Sequence, residues 1–68
     1  MATFTKLNLA SKIRNQNTNE VVSIYKFKKE GTKSFFFAPE VNEKRITKTM
    51  FTRLYGAEDL AKQYLNRN

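Results

Sequence analysis

The chain has 68 residues, and its 13 Lys and Arg residues against 6 Asp and Glu residues give a net charge of +7. It contains no Cys and no His, which excludes disulfides, thiol chemistry, zinc fingers and catalysis by imidazole. We therefore expect one small basic domain over residues 1–68 that binds a polyanion, with nucleic acid ranked before an anionic membrane surface or an acidic protein.

The first predicted element is a strand over residues 3–14. Its residues alternate by parity, and such alternation is typical of a strand with one buried face and one solvated face. The parity predicted to be buried holds Leu7, Leu9 and Ile13, and the solvated parity holds Lys6, Lys12 and Arg14. Residues 15–19, reading NQNTN, are predicted to form a loop because Asn tolerates left-handed backbone.

The central stretch is predicted to be a hairpin, because two runs of β-branched and aromatic residues flank Gly31. Residues 20–30 form its first strand, which either carries apolar residues on both faces or has a bulge near residues 24–25. Residues 33–38 form its second strand. Pro39 is expected to end this strand, because proline donates no hydrogen bond to a ladder.

The run Phe35-Phe36-Phe37 lies in the third predicted strand. Side chains alternate along a strand, so Phe35 and Phe37 share one face and Phe36 takes the other. We expect Phe35 and Phe37 to pack in the core beneath the helix, because a small domain needs large apolar side chains there. Their predicted partners on the helix are Leu60 and Tyr64.

The C-terminal part is predicted to be helical. Residues 39–44 are a polar connection, and residues 45–55 form either a short fourth strand or a helical turn that Thr49 caps. After Gly56, helical spacing predicts a helix of about ten residues, with an apolar stripe of Ala57, Leu60, Ala61, Tyr64 and Leu65. The predicted fold is therefore α+β, a three-stranded antiparallel sheet packed on a C-terminal helix.

Basic residues cluster on and around this sheet. If the helix covers one face, the uncovered face and the hairpin turn carry most of the charge. Lysines there would contact phosphates, and a β-sheet can enter the major groove. The predicted nucleic-acid-binding residues are Lys12, Arg14, Lys26, Lys28, Lys29 and Lys33. The alternative is a solvated face whose edge lysines discourage aggregation.

Two further groups are candidates for binding. Tyr25 and Phe36 are predicted to stack on unpaired bases if their rings are exposed. A second basic group precedes the helix and is expected to form an independent patch. Its members are Lys44, Arg45, Lys48 and Arg53.

The six carboxylates form no metal-ligand spacing and no catalytic pair, and the chain has no Gly-rich phosphate loop. We therefore expect no enzymatic activity, no metal and no cofactor. No apolar run approaches the ~18 residues of a membrane span, and residues 1–14 lack the apolar block of a signal peptide. We expect a cytoplasmic protein without membrane contact, also because so small a domain has no disulfide.

The predicted order of strand, strand, strand and helix resembles the AP2/integrase-type DNA-binding domain. In that family, a phrase ending in Tyr-Gly precedes an Ala-rich amphipathic helix, and here residues 50–56, MFTRLYG, precede AEDLAKQYLNR. The resemblance implies that the sheet reads the major groove and that the helix backs it. The family commonly carries Trp and Arg on its sheet, whereas this chain has no Trp and uses mainly Lys.

These features predict a small regulatory protein that binds nucleic acid, with duplex DNA expected rather than RNA. The alternative is a small phage- or plasmid-type protein that binds and inhibits a host protein. That alternative is motivated by the short chain, the lack of catalytic residues and a surplus of aromatics that would form an exposed apolar patch. A third option is RNA or single-strand binding by stacking on Tyr25 and Phe36.

Overall fold

The computed structural model describes residues 3–67, which form a four-stranded antiparallel sheet followed by one helix. The sheet order follows the chain, so each strand is hydrogen-bonded to the next. This confirms the predicted α+β class, including the third strand and a short fourth strand. The elements are β1 (Phe4–Arg14), β2 (Val21–Lys29), β3 (Phe35–Val41), β4 (Lys44–Arg45) and α1 (Leu54–Leu65).

The core lies between β2 and the apolar stripe of α1. Val22 and Ile24 are fully buried and pack in one cluster with Ala57, Ala61 and Leu65. The three helix residues lie four positions apart and so share one face of α1. Two of them are alanines, whose small side chains let the helix lie close to the sheet. Burying Val22 and Ile24 stabilises the fold by roughly 1.5–3 kcal/mol each.

The burial of Val22 and Ile24 decides which way every other β2 side chain points. Side chains alternate along a strand, so Lys26 and Lys28 lie on the same side as the helix. We call this side of the sheet the helix face. The opposite side, the open face, carries Tyr25 and Phe27 of β2. The second strand therefore has apolar residues on both faces, one of the two alternatives that the sequence left open.

Two irregularities in β1 change its predicted faces. The pairing with β2 shifts between Lys6 and Asn8 and again between Leu9 and Ser11. Each shift inserts one extra residue into β1 and reverses the alternation, as β-bulges do. Ile13 still packs on the core, but Leu7 and Leu9 are 46% and 41% exposed. The prediction that all three share a buried face is therefore wrong for the two leucines.

The third strand does not end at Pro39. It continues to Val41, and Pro39 itself is fully buried. Phe37 exchanges backbone hydrogen bonds of 2.7 and 2.9 Å with Phe51, on the side of β3 away from β2. Backbone groups two residues apart point the same way, so the nitrogen of Pro39 also faces that outer edge. Its missing N–H therefore removes no bond to β2, and its carbonyl accepts from the Ile46 N–H at 3.2 Å.

A two-residue turn replaces the polar connection predicted for residues 39–44. Asn42 and Glu43 join β3 to β4, and both have positive φ, 53° and 67°. Positive φ at both central residues defines the type I′ turn, whose twist matches that of an antiparallel hairpin. Asn at the first of these positions was the available sequence signal, because Asn tolerates this conformation.

The helix begins two residues before Gly56, and Thr49 does not cap it. Arg53 occupies the N-cap position without a side-chain hydrogen bond. At the other end, Asn15 of the β1–β2 loop donates from Nδ2 to the Leu65 carbonyl at 2.8 Å. The Arg67 guanidinium donates to the Tyr64 carbonyl at 2.6 Å. Both bonds satisfy carbonyls that a helix end leaves unpaired, and the bond from Asn15 also fixes the C-terminal end of α1 to the β1–β2 loop.

The helix covers only one end of the sheet. Glu58 accepts a hydrogen bond from Ser11 at 3.0 Å, and Phe37 is the core residue of β3 nearest the hairpin turn. Twelve helical residues span about 18 Å, whereas the long axis of the molecule measures 41 Å. The remaining sheet therefore projects beyond α1 as a three-stranded extension. We call it the arm and define it as residues 3–8 and 26–36.

Gly56 is required by close packing inside α1. A Cβ atom built at this position lies 2.9 Å from Cδ1 of the Phe51 ring, and that ring is held in place by the backbone bonds between Phe51 and Phe37. Alanine normally stabilises a helix interior by about 1 kcal/mol relative to glycine. Here we predict that Gly56→Ala instead lowers the free energy of unfolding, by about 1–3 kcal/mol, because the ring must move. Urea denaturation measures this change.

The companion variant Phe51→Leu tests the cause. Combined with Gly56→Ala, the smaller side chain leaves room for the new methyl group, so the double variant should be less destabilised than the sum of the two single variants. Additive effects, or a stabilising Gly56→Ala, would show that the Phe51 ring does not constrain this position.

Candidate nucleic-acid interface

The arm carries more than half of the net charge of the protein. Its two segments hold five lysines against one glutamate, a net charge of +4, compared with +7 for the whole chain. The glutamate, Glu30, accepts a hydrogen bond from the Thr5 hydroxyl within the arm. Among residues 3–67, four of these lysines form no salt bridge: Lys26, Lys28, Lys29 and Lys33. The arm is therefore a strongly positive surface.

The hairpin turn fixes the end of the arm. Gly31 has φ of 79°, and the Thr32 N–H donates to the Lys29 carbonyl at 3.2 Å. A positive φ at the third residue, with this hydrogen bond, is typical of a type II turn and requires glycine or asparagine there. The Thr32 hydroxyl accepts from the Ser34 N–H at 3.1 Å. Hydrogen bonds thus order the backbone that carries Lys29 and Lys33.

The six predicted nucleic-acid-binding residues do not form a single surface. Lys26 and Lys28 lie on the helix face of the arm, and Lys29 and Lys33 lie at its end. Lys12 pairs with Ser23 on the open face, at the far end of β1. Ser23 is five residues from Lys28 on β2, so Lys12 lies roughly 17 Å along the sheet from Lys28. Arg14 lies beyond Lys12, so the prediction of one basic uncovered face is wrong.

The open face is occupied by its own side chains. Lys6 Nζ lies 4.4 Å from the centroid of the Tyr25 ring and 2.7 Å from Oε1 of Glu40. Glu40 is only 4% exposed, and a buried carboxylate needs such a charged partner. Phe36 packs edge-to-face on Phe4, with centroids 5.4 Å apart. Base stacking at Tyr25 or Phe36 stays a prediction, and at Tyr25 it requires Lys6 to leave its place on the ring.

Phe35 was predicted to be in the core, and this is wrong. Phe37 packs on the core cluster, as does Tyr64 of α1, but Phe35 is 45% exposed. The reason is the length of the helix. Its N-terminal end lies above Phe37, so the next residue of β3 on the same face, Phe35, is not covered. Phe35 lies opposite Lys28, and Lys26 Nζ is 4.4 Å from the centroid of its ring. A large aromatic residue thus lies among the arm lysines, which the sequence pattern did not indicate.

The second basic group lies outside the arm. Its four residues are all exposed and follow the outer edge of β3, from β4 to the start of α1: Lys44, Arg45, Lys48 and Arg53. Beside Arg53, a shallow pocket is lined by Phe51, Thr52, Tyr55 and Gly56. All four residues lie outside the arm, and their forming an independent patch stays a prediction.

Comparison of the chain with protein-family models, with curated proteins and with solved structures gave no match. The resemblance to the AP2/integrase-type domain therefore stays a prediction. Tyr55 and Gly56, which that resemblance places before the helix, lie within α1. No helix in residues 3–67 is long and apolar enough to cross a membrane.

The pairing of Lys6 with Glu40 gives a stability prediction. Lys6→Met leaves a buried carboxylate without its cation, so we expect the free energy of unfolding to fall by about 1–3 kcal/mol. Lys12→Met is the matched control, because Lys12 lies on the same strand and the same face but forms no salt bridge within residues 3–67. It should change stability by less than about 0.5 kcal/mol.

Urea denaturation of both variants provides the measurement. The double variant Lys6→Met/Glu40→Met should recover most of the loss, because it removes both charges together. If Lys6→Met unfolds at the same urea concentration as the unchanged protein, the salt bridge does not stabilise the open face.

Proposed function

We propose that the protein binds double-stranded DNA through the arm. The observation that carries this proposal is the charge of the arm: four lysines that form no salt bridge within residues 3–67 are concentrated on a part of the sheet that the helix does not cover. Unpaired lysines on an ordered scaffold neutralise phosphates and release counterions, which is the main source of affinity for DNA. The two acids that form salt bridges, Glu20 and Glu40, lie outside the arm.

The shape of the arm supports duplex DNA. Strands in a sheet lie about 4.8 Å apart, so the backbones of three strands span about 10 Å. The major groove of B-DNA is about 12 Å wide and admits strands as well as helices. Lys26 and Lys28 lie on the central strand of the arm and point to the helix face. In this arrangement the helix face of the arm turns toward the groove. Lys33 lies in the hairpin turn and Lys29 on the open face at the end of β2, and from the end of the arm their long side chains extend to the flanking phosphates.

The same dimensions favour DNA over double-stranded RNA. The major groove of an A-form helix is deep and narrow, and side chains do not reach its base edges. Single strands are bound by stacking successive bases on several exposed aromatic rings, but Tyr25 lies beneath Lys6 and Phe36 packs on Phe4, which leaves Phe35 as the one exposed ring of the arm. Duplex DNA is therefore the ligand that this surface fits best.

A salt titration tests the proposal. Each phosphate contact contributes about −0.9 to the slope of log K against log salt, so four contacts give a slope of about −3.6. Affinity for a fluorescent 24-base-pair duplex should then fall by about 100-fold between about 50 and 200 mM salt. Changing the four arm lysines that form no salt bridge within residues 3–67 to Gln should remove this binding, and circular dichroism checks the fold. These lysines are Lys26, Lys28, Lys29 and Lys33.

The second basic group supplies a control of equal charge. Changing Lys44, Arg45, Lys48 and Arg53 to Gln also removes four positive charges but leaves the arm intact. This control should keep most of the affinity and most of the salt slope. No duplex binding at about 50 mM salt, or equal losses in the two quadruple variants, would contradict binding through the arm.

A second candidate function, binding to a host protein of the kind that phage or plasmid proteins inhibit, is supported by the edge of the sheet. β1 is an outer strand, and it exposes Leu7 and Leu9. An exposed strand edge with apolar side chains can accept a strand of another protein. Changing both leucines to Ser should then abolish capture of a partner from nuclease-treated lysate. A partner that is captured equally by this variant, or lost after nuclease treatment, counts against this function.

A further inference from the structure

Phe35 is the one aromatic side chain of the arm that the fold leaves exposed, and it lies on the helix face. It is 45% exposed and stands outside the core cluster, although it lies only two residues from Phe37, which belongs to that cluster. It pairs across the sheet with Lys28, and Lys26 lies over its ring at 4.4 Å. Exposing a phenylalanine among cations contributes nothing to the core, so a contact with a ligand is the simplest role for it.

The chemistry of the major groove offers one apolar feature to such a side chain. Phosphates and base edges present donors and acceptors, whereas thymine alone presents a methyl group, at C5, in that groove. Lysines beside the ring would meet phosphates or guanine acceptors, but they have no affinity for a methyl group. We propose that Phe35 contacts the thymine methyl group when the arm lies in the major groove, which makes it a specificity-determining residue of the DNA-binding function proposed above.

Three features of the arm support this assignment. First, Lys26 and Lys28 on β2 flank Phe35, so phosphate contacts by these lysines bring the ring close to the bases. Second, β3 is the outer strand of the sheet at Phe35, because β4 pairs only with Glu40 and Val41. Third, Phe36 packs on Phe4 on the open face and is therefore not the exposed member of the phenylalanine run.

The inference depends on the proposed function, so its test must separate the two. We would measure binding to a 24-base-pair duplex of mixed sequence and to the same duplex with every thymine replaced by deoxyuracil. The second duplex keeps all charges and hydrogen-bonding groups but lacks the C5 methyl groups. At equal salt, the unchanged protein should bind the thymine duplex about fourfold more tightly, the ratio that the burial of one methyl group produces.

Three variants complete the experiment. Phe35→Ser should bring the ratio between the two duplexes to about one and leave the salt slope unchanged, because no phosphate contact is lost. Phe35→Leu keeps an apolar side chain and should keep most of the ratio. Tyr55→Ser removes the ring of a residue that is 63% exposed on α1 and does not belong to the arm, and should change neither ratio nor slope. Thermal unfolding checks that each variant remains folded.

The outcomes are distinct. Salt-dependent binding that is lost in the arm-lysine variant, but with equal affinity for the two duplexes, overturns the role of Phe35 and leaves the DNA-binding proposal standing. A preference for thymine that persists in Phe35→Ser, or that is equally lost in Tyr55→Ser, also overturns it. Absence of duplex binding by the unchanged protein overturns both proposals together.

Discussion

The burial of Val22 and Ile24 against the two alanines of α1 is the contact on which the rest of the structure depends. It fixes the rotation of β2, and because side chains alternate along a strand, it also fixes the direction of every other β2 residue. The side chains of Tyr25 and Phe27 therefore point to the open face, and those of Lys26 and Lys28 point to the helix face. A shift of one residue would exchange the two sets and expose both core residues.

The limited length of α1 leaves part of the sheet uncovered. The helix spans Leu54–Leu65, and hydrogen bonds from Asn15 to Leu65 and from Arg67 to Glu20 fix its C-terminal end at the β1–β2 loop. Its N-terminal end is therefore set by its length and falls near Phe37. A sheet that continues beyond this point has no helix to cover it, and five of the residues in that part of the sheet are lysines. The arm thus combines an ordered backbone with a surface that is free to bind a polyanion.

The open face shows how a sheet surface without a helix can still be partly closed. Lys6 lies across the Tyr25 ring and ends on the buried carboxylate of Glu40, while Phe4 packs on Phe36. These contacts bury apolar area and satisfy a charge that would otherwise be costly. The same contacts cover the rings of Tyr25 and Phe36, which the sequence predicted to stack on bases. The candidate binding surface is consequently found on the helix face and at the end of the arm.

The sequence by itself determined the type and order of the elements. β-branched and aromatic runs around Gly31 indicated the central hairpin, and the spacing of Ala57, Ala61 and Leu65 indicated the helix. These signals are local, because they follow from backbone preferences and from periods of two and 3.6 residues. The excess of lysines near the hairpin turn is also a property of the sequence alone, and those lysines remain the centre of the proposed site.

Only the tertiary structure decided which faces these residues share. The bulges in β1 moved Leu9 to the open face, and the end of α1 left Phe35 exposed although Phe37 is packed. Pro39 continues a strand because its nitrogen faces the outer edge of β3. Each outcome depends on what lies beside a residue in space, on a neighbouring strand or beneath a helix end. Local patterns carry no information about such neighbours, which is why the predicted single basic face is divided between the arm and the distant end of β1, where Lys12 and Arg14 lie.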